Sequence, residues 1–152
     1  MSDVRLTKIR TSLARKMAQP GGRTVAEAER RANERLSLHR DDVMATIQQR
    51  IAELEKVVAE ASPQRQGDVY LLAAGLLDTG GFFDTGPLFD AGFSLCEVAE
   101  LMSASGQWHW PSVEVHVRAL RLILTNGCKA DATSDALLVG LRSVVAKARG
   151  DG

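Results

Sequence analysis

Residues 24–61 read TVAEAERRANERLSLHRDDVMATIQQRIAELEKVVAEA. Within them Ala28, Ala32, Leu36, His39, Val43, Ile47, Ile51, Leu54 and Val58 step by three or four throughout, which draws one continuous stripe along one side of an α-helix. Thr24-Val25-Ala26-Glu27 is a capping box: the threonine oxygen accepts from the third amide and the glutamate reaches back. A helix from Val25 to Ala61 is roughly 55 Å long at about 1.5 Å per residue. Asp41-Asp42 is the place for a kink or break, because aspartates can start a new helix. His39 lies on the stripe and reads as a buried or half-buried histidine with a satisfied nitrogen, ahead of a ligand or catalyst.

The same period extends in both directions. Upstream, Ser2 and Asp3 can cap a helix to about Gln19, with Leu6, Ile9, Leu13 and Met17 on one face and Pro20-Gly21-Gly22 as its stop. Arg5, Lys8, Arg15 and Lys16 fall on its remaining surface; such a helix packs on a domain more often than it touches lipid or nucleic acid. Downstream, Ser62 as N-cap and Pro63 in the first turn open a third helix carrying Val69, Tyr70, Leu72, Ala73, Leu76 and Leu77, closed by Gly80-Gly81. A fourth starts after Gly86-Pro87 with Leu88, Ala91, Leu95, Val98 and Met102 inward. Pro111 opens a fifth, with Val113, Val117, Leu120 and Leu124 inward and Asn126-Gly127 as its C-cap. Thr133-Ser134-Asp135 caps a sixth, apolar at Leu137, Leu141, Val144 and Val145, which ends at Gly150. No useful length alternates with a period of two, so the expected fold is all-α.

Asp-Thr-Gly occurs twice in LLDTGGFFDTG, residues 76–86, the phrase in which aspartic proteases present a catalytic carboxylate. Those enzymes need two carboxylates sharing a proton across a symmetric site in β-rich lobes. Asp78 and Asp84 sit six residues apart in one connection with helices on both sides, which excludes the dyad within one chain. The glycines read instead as a helix stop, Asp84 or Thr85 with Pro87 as a helix start, and Phe82 and Phe83 as a plug for the bundle end.

The 152 residues carry 19 basic and 19 acidic side chains, unevenly spread. Residues 1–25 hold six bases against Asp3, whereas Gln66 to Val117 contains no Lys or Arg and seven acids, a middle that would repel nucleic-acid phosphates. Two cysteines, Cys96 and Cys128, with no CxxC, and a basic N-terminus without an apolar core of a leader, point to reduced thiols in a cytoplasm. The longest apolar run, Val69 to Leu77, is about half a membrane span. Three scattered histidines and two distant cysteines have no zinc spacing, and no phosphate-binding glycine loop is visible, so neither metal nor cofactor is expected.

The segment from Val69 to about Leu124, a helix, a tight glycine turn and a returning helix, resembles a histidine phosphotransfer (HPt) domain. That resemblance implies an up-down helical bundle that passes phosphoryl groups between receiver domains. The family's mark is a histidine on an exposed helix face, then Lys and Gly, and a further Gly about ten residues after the histidine. Gly80 matches that last glycine and Leu72 the apolar position; Tyr70 falls where the histidine belongs, and Ala73-Ala74 replace Lys-Gly. SLARKMAQPGGRTVAEA, FSLCEVAELM and VEVHVRALRLI are further similar to the CheE family of small alphaproteobacterial chemotaxis-cluster proteins.

Receiver aspartyl phosphates hand their phosphoryl group to an imidazole nitrogen that is reactive near neutral pH. A phenol with a pKa of roughly 10 is a poor substitute without a base. The expectation is therefore a non-enzymatic, HPt-like partner of a receiver or histidine-kinase domain, in chemotaxis or another two-component relay. It consists of a basic N-terminal helix and turn (1–23), a bundle core (24–127) and a C-terminal helix (128–152). Tyr70, Ala73, Ala74 and Gly75 are the candidate docking residues, with tight packing inside the bundle as the plainer role of the three small ones. Should a histidine still accept phosphate, His116 beside Arg118 and Arg121 is the first candidate and His39 the second; His109 sits between Trp108 and Trp110, two indoles that seal the bundle end. A third alternative is a homodimer, with the long second helix pairing between copies.

Overall fold

The computed structural model describes residues 24–80 and 85–150. The N-terminal helix expected to Gln19, the Phe82-Phe83 plug and Asp84 lie outside them. Among the described residues there are five α-helices and no strand: α1 (Val25–Glu60), α2 (Gln66–Gly80), α3 (Gly86–Ser105), α4 (Trp110–Thr125) and α5 (Ala132–Arg149). The protein is an all-α helical bundle. The chain divides by contact at Asp41–Asp42, so α5 belongs to the same unit as the bundle core.

α1 is helical through Asp41-Asp42, where a break was the alternative. Thr24 caps it as expected, its Oγ1 accepting from the Glu27 amide at 3.1 Å, while the Glu27 carboxylate pairs with Arg31 at 3.7 Å. The stripe is covered along only part of its length. Ile47, Ile51, Leu54 and Val57 are wholly buried, whereas Ala28, Ala32, Leu36 and His39 are exposed. His39 is thus not the half-buried residue its position on the stripe suggests. Helical period specifies a face, not how deeply each residue on it is buried.

Between α1 and α2, Pro63–Arg65 forms one 3-10 turn, so the α-helix starts three residues later than Ser62-Pro63 implies. Ser62 does not cap through its side chain; its hydroxyl donates to Gln64 Oε1 at 2.8 Å. Arg65 ties the corner together, reaching Glu53 (3.3 Å), Glu60 (3.4 Å) and Asp68 (2.8 Å).

α3 is the central helix, packed against α2, α4 and α5. Its N-cap is Thr85, whose carbonyl accepts from the Leu88 and Phe89 amides; its C-cap is Gly106 at φ 68°. A Cβ on Gly92 would touch Leu77 at 3.4 Å, and Tyr70 lies by Glu100, so α2 and α3 run antiparallel. Ser94 meets His116 and Met102 meets His109, so α3 and α4 do too. α1 joins the bundle from the Val43–Glu60 side through its buried isoleucines and leucine, an Arg121–Glu55 ion pair to α4, and Arg50 laid over Gly75 of α2.

α4 ends in a Schellman turn. The Cys128 amide donates to Ile123 O (2.9 Å) and the Gly127 amide to Leu124 O (3.0 Å), with Gly127 at φ 74°. The cap of α5 is Asp131, ahead of the expected Thr133-Ser134-Asp135. Asp131 Oδ1 accepts from the Ser134 amide at 3.0 Å, and Ser134 Oγ accepts from the Asp131 amide at 2.9 Å. An Arg149–Glu97 ion pair fastens α5 to α3.

Candidate functional site

Tyr70 stands on α2 with 40% of its surface exposed, at the position where the HPt pattern calls for an imidazole. The Glu100 carboxylate of α3 lies near its hydroxyl, and that negative charge holds the phenol above its ordinary pKa of 10.0. The phenol is therefore protonated near neutral pH, with the Glu100 carboxylate nearby. Phe89, Phe93, Cys96 and Glu100 step by four, three and four along α3 and share one side of it. Phe89 and Phe93 remain 39% and 56% exposed there, and Leu71 on α2 is 67% exposed. The two exposed phenylalanines thus share the side of α3 that carries Glu100, the carboxylate nearest Tyr70.

The structure does not bring Tyr70, Ala73, Ala74 and Gly75 onto one surface. Ala73 is wholly buried in the core, Ala74 is half-buried against it, and Gly75 lies under the Arg50 guanidinium, which a Cβ would displace. Small size at these three positions permits close packing of α2. Tyr70 alone of the four is exposed.

His116 is 0% exposed, and both of its nitrogens are engaged. Nδ1 lies 2.8 Å from the Ser112 carbonyl oxygen, which only accepts, so Nδ1 carries the proton; Nε2, 2.8 Å from Ser94 Oγ, then accepts from the serine hydroxyl. Burial pushes the imidazole below its usual pKa, against a smaller opposite effect of the bond to Ser112. The ring is neutral, satisfied and closed to solvent. The neighbouring cations are otherwise occupied, Arg118 with Glu114 at 2.7 Å and Arg121 with Glu55.

His39 is exposed on α1. His109 is the N-cap residue of α4, its Nδ1 2.8 Å from Ser112 Oγ and its amide directed at Met102 Sδ. Trp108 and Trp110 flank it edge to face at 5.4 Å, half-buried against the core as expected of end seals. Asp78 is exposed in the last turn of α2, where Thr79 bonds back to the Gly75 carbonyl; the first Asp-Thr-Gly is helix, without the β lobes of a protease.

Ser94 and Glu100 were not legible as site residues. Each matters only through a partner on another helix, 22 residues away for Ser94, and no local spacing encodes that meeting. Among the described residues no group of three or more His, Cys, Asp or Glu could hold a metal ion, and no helix is long and apolar enough to cross a membrane.

No protein-family model matches the chain, and neither a curated protein nor a solved structure matches it.

Proposed function

We propose that this protein is a non-catalytic, HPt-like docking protein of a bacterial chemotaxis or two-component phosphorelay. Its α2–α3 face holds a receiver domain without taking phosphate from it. One observation carries the reading: the exposed helix position aligned with the HPt histidine holds Tyr70 near the Glu100 carboxylate, while the imidazole of the bundle core, His116, is wholly buried. The exposed Phe89 and Phe93 of α3 supply apolar contact area of the kind protein interfaces bury, with Tyr70 as a polar-tipped anchor.

The test uses purified receivers encoded near the gene, phosphorylated with labelled donor and mixed with the full chain. Expected are saturable binding to one receiver by calorimetry, at least tenfold weaker binding by Tyr70→Ala or Phe93→Ala, and no label on this protein. Stable label on His39, His116 or Tyr70 would replace the reading by active phosphotransfer. Failure to bind any receiver, together with a tight dimer in light scattering, would replace it by self-association.

A further inference from the structure

The end of α3, the start of α4 and the last turns of α5 enclose a groove of about 620 Å³. Pockets of that size hold small organic molecules. Its apolar walls come from Met102, Trp108, Val115 and Val144, and Val115 remains 42% exposed. Ser105, His109 and Ser112 set polar groups among them.

The charge of the lining is one-sided. Residues 66–117 hold seven acids and no Lys or Arg, yet none of those acids lines the groove. Its one cation is Lys147, in the last turn of α5, which enters no ion pair among the described residues. The dipole of α5 accounts for a lysine in that turn. It does not account for the lack of acids on the parts of α3 and α4 that line the same groove.

Trp108 adds a second, independent sign. Its Nε1 is buried with no acceptor among the described residues, although a buried indole N–H ordinarily finds one. An oxygen of an occupant would complete that bond once the ring turns toward the groove. Chemistry then narrows the occupant. One ammonium balances one negative charge, and a second charge would be desolvated without a counterpart. A bare inorganic anion would leave the apolar walls uncovered, and an uncharged molecule would leave Lys147 unused.

We infer that this groove binds a small amphipathic monoanion, its apolar body against Trp108, Met102, Val115 and Val144 and its carboxylate at Lys147. Receiver docking rests on Tyr70, Phe89 and Phe93, none of which lines the groove, so either reading can fail without the other.

The chain has two tryptophans, Trp108 and Trp110, in contact with each other, so both indole N–H resonances come from this end of the bundle. The isotopically labelled full chain is titrated with octanoate and with phenylbutyrate, and with octanol and acetate as the apolar and the charged part alone. Saturable movement of the Trp108 resonance, assigned with Trp108→Phe, is expected at a Kd of about 1 mM or tighter for at least one of the two acids. Octanol and acetate are expected to bind more weakly than that acid. Lys147→Gln should weaken the acid about fivefold and leave octanol unchanged, and Lys147→Arg should restore it. Val115→Asp, which sets a carboxylate in the groove at an exposed position, should abolish binding of the acids. Circular dichroism checks that each variant is folded. No saturable shift with either acid would overturn the inference. Octanol binding as tightly as octanoate would do the same, as would an unchanged Kd in Lys147→Gln or undiminished binding in Val115→Asp.

Discussion

At the residue scale two side chains stand out, Tyr70 on α2 and His116 on α4. Tyr70 occupies an exposed helix position near a carboxylate; the His116 imidazole is sealed in. Sealing has a pH signature. The folded imidazole has a pKa below its unfolded value of about 6.5, so the unfolded chain binds more protons in the acid range. Stability from His116 is complete above about pH 6.5 and is lost as the pH falls from there toward the folded value, with a slope of at most about 1.4 kcal/mol per pH unit. Urea denaturation at pH 7.5, 6.5 and 5.5 should show a steeper fall for the native sequence than for His116→Gln. Ser94→Ala, which leaves Nε2 buried without its donor, should cost about 1–3 kcal/mol at pH 7.5. Equal pH slopes would mean that the ring titrates freely.

At the element scale, the fold class was legible because helices announce themselves locally. Thr24, Gly80, Pro87, Pro111 and the Asn126-Gly127 turn mark ends that the structure confirms within a residue or two. Misplaced ends are those where two candidate caps sit close together. Thr133-Ser134-Asp135 looks like a cap run, yet Asp131 wins because Ser134 answers it from the N3 position, closing both bonds of the box at once. Ser62-Pro63 starts a 3-10 turn because Arg65 draws three carboxylates from two helices toward the corner. Ser134 is 2% exposed, so removing its hydroxyl forfeits a capping contact that water cannot restore. Ser134→Ala should destabilise by about 1 kcal/mol, and Ser134→Thr should recover most of it. Thermal unfolding of the three proteins side by side measures both changes; an unaffected Ser134→Ala would show that Asp131 caps alone.

For the whole molecule, sequence patterning predicted helices but not their neighbours. The stripe of α1 has one period from Ala28 to Val58, and nothing local distinguishes its covered residues from Leu36 and His39. Likewise the apolar spacing of α3 reveals Leu95 and Val98 as core, but not that three helices surround them. The Tyr70–Glu100 and Ser94–His116 pairs exist only once α2, α3 and α4 are assembled, which is why the sequence could single out Tyr70 and His116 but not Glu100 and Ser94.

That enclosure of α3 also gives the chain its own stopwatch. Cys96, on the central helix, is 8% exposed, and burial pushes its thiol up to about 11. On the order of one thiolate in a thousand then exists at pH 8, and little of it can be reached. Alkylating reagent added to native protein should mark Cys96 only during excursions in which the helices part, so the gain of mass against time in a pulse-labelling experiment counts those openings directly. Immediate, complete marking in plain buffer would mean that the middle of the bundle stands open.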